Sequence, residues 1–571
     1  MHFLKKTWVK YTLSYLIASL VLFLVYYVTL PAINLRSPGF YFFLTLALFL
    51  FMLPISLFKR RDVIIEDSSA SKTRSKKKKN TGISPELARL FKKTGSSLRA
   101  HPFLSLALIP VAVLLIGSII SSPFFNARRY AAIIDVEEAV FRDDMPESDT
   151  VTNIALMDSD SAAIVGSRTL GSLSHVVSQY EISESYTQIN YRHTPKKVAN
   201  LEYAGFFKWL GNRASGIPGY VMVDPVGNTA EYVSYASAQK YSESGYFGDD
   251  LERRLRFDYP TKIFGSIRFE VDDEGRPVYV VSCMKPSVGL FGALDVNEVI
   301  LFDPTTGESE IYGVHETPAW IDSVFDGDLA MEKYNWKGMY SGGFFNSVIG
   351  NKNCKVTTDD YGYIVIGDDV WYFTGVTSVN SDQSNIGFII SNARTGEYKF
   401  YPVIGAEEHS AMGAAEGEVQ EKGYVASFPA LINVKGEATY IMVLKDSGGL
   451  VKLYALVNVE TYRLVATADT QEKAFKAYID LLLEEGVLSE SDAKEEREPI
   501  SVLIKSISSY TVGGESYLYF GATYEGEEIF LKARLSSFEA LLFRKEGDTL
   551  TVYAEETAED GIYLIDGIYK P

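Results

Sequence analysis

The chain has 571 residues and a formal net charge of −18, with 55 Lys and Arg against 73 Asp and Glu, 6 His and 2 Cys. That length exceeds what one hydrophobic core organises and calls for several domains. Two cysteines exclude a disulfide-stapled mini-domain and a Cys-based zinc framework.

The first elements are apolar. Residues 11–35 (YTLSYLIASLVLFLVYYVTLPAINL) and 40–58 (FYFFLTLALFLFMLPISLF) carry no charge, and Arg36 stands between them. Each is long enough to cross a hydrocarbon core about 30 Å thick as a helix. Residues 103–125 (FLSLALIPVAVLLIGSIISSPFF) form a third uncharged stretch, whose Pro110 a membrane helix tolerates. The sequence therefore predicts three transmembrane helices, two within 1–58 and one at 103–125. The first is too long for a signal-peptide core and is expected to stay as an anchor.

Between the second and third spans lies a basic loop, 59–102, with thirteen Lys and Arg against four acids. Its densest part is SKTRSKKKKN, and Lys76, Lys77, Lys78 and Lys79 are its centre. Short positive loops stay in the cytoplasm. Lys5, Lys6 and Lys10, with no acid near them, agree. The expected topology has the N-terminus and this loop cytoplasmic and residues 126–571 outside a plasma membrane. The lysines then anchor topology and attract anionic lipid headgroups; the flanking spans explain them without a nucleic acid. Beyond residue 102 the chain holds 38 basic and 69 acidic residues, a poor surface for a polyanion.

The outer portion is mainly β: short apolar runs rich in Tyr, Phe and Val, punctuated by Gly, Asp and Asn. After an α/β segment at 126–215, one pattern recurs through 216–485. It appears as GYVMVDPVGNTAEYVSY (219–235), EVILFDPTTGESEIYGV (298–314), GFIISNARTGEYKFYPV (387–403) and YALVNVETYRLVATA (454–468). Each is a strand, a polar turn and a second strand. In the turns Asp or Asn bonds nearby backbone and Gly supplies positive φ. RPVYVVSCM, DVWYFTGVTSV and ATYIMVLKD are expected to add a neighbouring strand to the last three hairpins, and helices are expected after each of those hairpins. In the last helix, Ala474, Tyr478, Leu481 and Leu482 share a face.

This hairpin-plus-helix unit, with turns such as DPTTGE, resembles the PepSY-type module of bacterial extracytoplasmic proteins and protease propeptides. With three N-terminal spans and the NIALMDSDSA stretch, the arrangement also resembles uncharacterised envelope proteins of Gram-positive bacteria. The PepSY resemblance implies a regulator or inhibitor of a secreted or membrane enzyme. The distances between Asp224, Asp303, Asn392 and Asn458 are too irregular for a solenoid, so linked modules or a merged sheet are expected.

A linker is expected at 486–499, followed by a separate module at 500–571. Five strands with a short helix before the fourth resemble an OB-like barrel. Its twelve acids against six bases favour protein or glycan contacts over oligonucleotides.

The sequence carries no G-x-S-x-G, H-E-x-x-H, P-loop or dinucleotide fingerprint. His175, His193, His315 and His409 lack ligand spacing, and the S-x-x-K pairs Ser237/Lys240 and Ser491/Lys494 lack partner motifs. MDSDSA (157–162) and the Asp pairs at 272/273, 359/360 and 368/369 are possible calcium ligands but are expected to be turn residues. Cys283 and Cys354 lie in the outer portion, either paired or buried as free thiols. No catalytic residue, cofactor or metal is assigned. The candidate binding surface is YNWKGMYSGGFFNSVIG (334–350), where Trp336, Tyr340, Phe344 and Phe345 sit among glycines that weaken a helix. It predicts a loop or broken helix, either a plug between modules or an aromatic platform for a glycan or peptide. The expected function is a membrane-anchored extracytoplasmic binding or scaffold protein. Its partners are the bilayer and an envelope protein, peptide or glycan; the alternatives are the PepSY-like regulator and an envelope hydrolase.

Overall fold

The computed structural model describes residues 2–67, 104–148, 154, 156–379, 381–489, 500–512, 515–524, 527–535, 538–556 and 562–568. The chain divides into two compact units, Met1–Glu484 and Glu485–Pro571. Most of the basic loop, Lys76 to Lys79 included, and residues 490–499 of the expected linker lie outside the described residues.

The first unit begins with the helices His2–Thr29 and Pro38–Asp67. Among the described residues Trp8–Thr29 is the one unbroken helix long and apolar enough to cross a membrane, the bent pair Leu108–Ser121 and Pro123–Ala131 reaches that length only together, and Pro38–Pro54 is a shorter apolar stretch. Leu13, Leu16, Ile17 and Leu20 on the first helix are all exposed, a surface that suits lipid. The third expected span departs from one straight helix. A 3₁₀ turn, Leu104–Ala107, leads into Leu108–Ser121, and a 52° bend separates that helix from Pro123–Ala131. Ser122 is extended (φ −68°, ψ 157°) because the proline after it disfavours the helical region. Fourteen residues rise only about 21 Å, so Leu108–Ser121 is short for a full crossing.

All three helices are held by the β region at one end. The guanidinium groups of Arg253 and Arg256 donate to the carbonyls of Tyr27 (3.3 Å) and Leu30 (2.9 Å), which the first helix leaves unpaired at its C-terminus. Asn34, before the second helix, donates to Thr261 O (2.8 Å). Ser121, at the end of Leu108–Ser121, accepts from the amides of Leu290 and Phe291 (2.8 and 3.1 Å).

Four antiparallel meanders follow in chain order. In the first sheet Tyr180–Ile182 and Thr187–Tyr191 both pair with Thr194–Tyr203, which is followed by Ile217–Asp224 and the edge strand Thr229–Gln239. It takes strands from both sides of residue 215, so the expected boundary there falls inside one sheet. The second comprises Ile263–Val271, Pro277–Val288, Gly292–Phe302 and Ser309–Gly313. The third is centred on Asp369–Ser378, Ser381–Asn392 and Tyr398–Tyr401, with Glu137–Glu138 added in parallel at its edge. The fourth is centred on Glu437–Lys445, Val451–Asn458 and Val465–Ala468.

The four expected hairpins are the last two strands of these four sheets. In each, the Asp or Asn accepts backbone N–H bonds inside the turn: Asp224 from Val226 and Gly227, Asp303 from Thr305 and Thr306, Asn392 from Arg394 and Thr395, and Asn458 from Thr461. The expected helices form at Gly327–Tyr340, Glu408–Glu418 and Gln471–Glu484.

The sheets pack in pairs. Val198, Tyr220 and Met222 of the first meet Tyr279, Val281, Ile300 and Phe302 of the second. Phe373, Phe388 and Ile390 of the third meet Tyr440, Met442 and Val457 of the fourth. Because side chains alternate across a strand, the residues between these point to a second buried face. Ala199, Val221 and Val223 lie under the helix Ser159–Gly171, and Tyr372, Ile389 and Phe400 lie under Gly327–Tyr340. Cys283 and Cys354 are both free and buried.

The second unit contains a closed barrel of Ile500–Val512, Glu515–Tyr524, Glu527–Arg534, Thr549–Glu556 and Ile562–Ile568. The first strand pairs with the second and fourth, the third pairs in parallel with the fifth, and a 3₁₀ turn, Glu539–Phe543, precedes the fourth. Phe520, Leu531, Leu550 and Val552 fill its interior.

Candidate functional site

The aromatic segment 334–350 is a broken helix. Trp336 and Tyr340, four residues apart and so on one face, stand edge-on around Tyr130 at ring-centroid distances of 5.2 and 6.1 Å. Tyr130 is buried, which raises its pKa, and donates to Ser121 O (2.9 Å). These two aromatics therefore brace the helix Gly327–Tyr340 against the end of the apolar bundle. Gly343 (φ +86°) turns the chain, and a π-helical turn, Asn346–Gly350, ends at left-handed Asn351 (φ 47°). Phe344 packs on Phe124 at 5.1 Å, while Phe345 is exposed. The four candidate residues come together, but Trp336 and Tyr340 are packing groups and Phe345 is a surface group, so they form no single open platform.

A larger concave surface lies where the first two sheets splay apart. It is a groove of about 620 Å³ lined by Tyr191, Tyr220, Tyr232, Tyr235 and Arg276, with strand residues 231–237 along one wall. Tyr220 and Tyr235 stack at 5.4 Å. Beneath them Tyr235 donates to Asn200, Asn200 to Tyr279, and Gln239 to the same Tyr279 oxygen (3.0, 2.9 and 3.2 Å). This buried network fixes the ring orientations. Among the described residues the edge strand Thr229–Gln239 is laddered only to Ile217–Asp224, which leaves its outer edge without a partner strand; the Ala230 carbonyl accepts from the Thr169 hydroxyl (3.2 Å). Glu231, Glu274 and Asp303 make the rim acidic, and Arg276 is paired with Asp272 and Glu274. The sequence shows the hairpin but not the groove, since the opposing wall comes from another sheet.

A second cleft, about 400 Å³, is lined by Asn190, Arg192, His193, Asp273, Trp320, Asp322 and Asp368. Asp322 and, behind it, Glu270 are buried, and burial pushes both carboxyl groups above the usual carboxylate range. Such a pair invites an acid–base reading. Its bonding argues for a brace: the Glu270 oxygens accept from the amides of Asp322 (3.1 Å) and Ser323 (2.8 Å), and Asp322 accepts from Asn190 N (2.7 Å). The neighbouring His193–Asp368 pair, 2.5 Å apart, is a surface pair.

Three of the other flagged acids have structural roles. Asp158 of MDSDSA caps the helix Ser159–Gly171 by accepting from Ser161 N (2.8 Å) and pairs with Lys445. Asp272 closes a turn by accepting from Glu274 N and Arg276 N, and Asp369 pairs with Arg394. His409 lies 3.8 Å from Asp360. Among the described residues no group of three or more His, Cys, Asp or Glu is arranged to hold a metal ion. No protein-family model matches the chain, and no curated protein is similar to it.

Proposed function

We propose that the chain is a membrane-anchored binding or scaffold protein of the cell envelope, with its β region outside the cytoplasm and an extended peptide segment of a partner as its ligand. The observation that carries this is the free edge strand Thr229–Gln239 beside the tyrosine-lined groove. An extended chain adding to that edge gains main-chain hydrogen bonds, and alternate side chains enter the groove. Tyrosines suit such a role because each offers contact area together with a polar handle. The acidic rim favours a ligand with basic residues.

The finer parts of the reading have their own support. All three apolar helices meet the β region at one end, which suits three spans with the basic loop on the opposite, cytoplasmic side. Strand order and the turn before the fourth strand suit an OB-like barrel. The recurring hairpin followed by a helix suits PepSY-like modules, with four or five strands in most sheets, and so a regulator of a membrane or secreted enzyme.

A photo-crosslinking side chain placed at exposed Ser237 in intact membranes tests the proposal. The expected product is a crosslink to an extended segment of another protein, lost when Glu231→Trp fills the groove and retained in an Asp446→Ala control. No crosslink, or one that Glu231→Trp leaves unchanged, overturns it.

A further inference from the structure

We infer that the β region rests on the bilayer surface through two exposed aromatic feet, one on each side of the apolar bundle. The inference rests on the membrane-anchored reading and adds the lipid interface as a second contact surface.

The first foot continues the helix Leu108–Ser121. After the bend at Ser122, Phe124 contacts Phe125, Phe344 and Phe345 at centroid distances of 4.7, 5.1 and 6.0 Å. Around them Phe125 (62% exposed), Phe345 (67%), Val348 and Ile349 (78%) are bare. They adjoin Ile119 and Ile120, the exposed last turn of the apolar helix. The second foot is tied to the first helix. One guanidinium, that of Arg253, donates to both Phe247 O (2.8 Å) and Tyr27 O (3.3 Å) and lies over the Tyr27 ring. Phe257 packs on Tyr26 and Tyr27. Phe247, Phe257, Leu210 and Phe207 (82% exposed) present the apolar surface.

Depth follows from the first helix. Trp8 and Tyr27 are separated by about 28 Å of helix rise, close to the thickness of the hydrocarbon core. Trp and Tyr favour the two interfaces, so a helix with Trp8 at one interface has Tyr27 at the other. Both feet join the bundle at or next to that level. Exposed basic residues accompany them in a region that is otherwise strongly acidic: Arg128, Arg129 and Lys352 beside the first foot, and Arg213, stacked on Trp209 and 3.6 Å from Asp249, beside the second. Apolar residues facing the acyl boundary with basic residues at headgroup level is how an interfacial helix binds a bilayer.

The test uses the full chain in vesicles of zwitterionic and anionic lipid. An environment-sensitive fluorophore is attached to Phe207→Cys, Ile349→Cys, Leu20→Cys or Ser237→Cys; the two native cysteines are buried. Labels at 207 and 349 are expected to emit to the blue of the label at 237, to be quenched by shallow nitroxide lipids and to be shielded from iodide. Position 20 should respond to deep nitroxide lipids. If 20 responds but 207 and 349 are quenched by iodide like 237, the feet are wrong and the anchor stands. Shielding from iodide without lipid quenching assigns the feet to a protein contact and overturns the inference. If 20 fails to respond, the anchored reading and the inference fall together.

Discussion

At the scale of single residues, Glu408 in a helix and Lys197 in a strand are ionisable groups buried in the interior. Burial pulls the Lys197 amine down to about 8 and pushes the Glu408 carboxyl up to about 7. Glu408 accepts from Gly375 N (2.5 Å) and the Thr358 hydroxyl (3.0 Å), which offsets only part of the desolvation. A carboxyl with a raised native pKa binds its proton more tightly folded than unfolded. Its contribution is therefore full below about 4.5 and is lost as pH rises to about 7, an effect of roughly 3 kcal/mol. Glu408→Gln, neutral at every pH, should remove that slope. Melting of the full chain in detergent at pH 5 and pH 8 checks this: the gap between the two temperatures should shrink in the variant, and an unchanged gap would place the titration elsewhere.

At the scale of elements, hairpins and helices follow the sequence closely, and the misses have local causes. By composition the third apolar stretch reads as one helix, yet Ser122–Pro123 in SSPFF bends it. The break expected in 334–350 is present but comes late, since the helix first runs through Gly338 to Tyr340. Gly338 serves close approach instead: a Cβ there would collide with the Lys355 carbonyl on the strand Lys355–Thr357. Asn335, one turn earlier, bonds Thr357 through both its backbone amide and its hydroxyl (2.8 and 3.0 Å), pinning helix to strand. Two effects then compete in Gly338→Ala. Helix propensity favours Ala by about 1 kcal/mol, whereas overpacking against backbone costs about 1–3 kcal/mol. The clash should win, with a melting temperature several degrees lower. A rise would mean that helix and strand separate freely, and that the glycine is there for another reason.

At the scale of the whole molecule, the sequence reveals how many hairpins there are and hides how their sheets stack. Runs such as VYVVSC and YIMVL are apolar on both faces because each sheet is covered twice, so no alternation marks which face meets which neighbour. The barrel is the opposite case. Its strands, its short helical turn and its start near residue 500 all stand in the sequence, because a small closed module must satisfy its packing from local residues. Val502, Ile504, Phe520, Leu531, Leu550 and Val552 supply a core within the barrel, and closure leaves no strand edge to pair elsewhere. A module of this size is near the lower limit for folding without disulfides or metal, which makes its independence a real test. A fragment of residues 496–571 should be soluble and should melt in one cooperative step. The full chain should show that same step whether or not Gly338→Ala has lowered the melting of the first unit. A fragment that is unfolded in isolation, or a barrel transition that moves with Gly338→Ala, would mean that the barrel draws its stability from the rest of the chain.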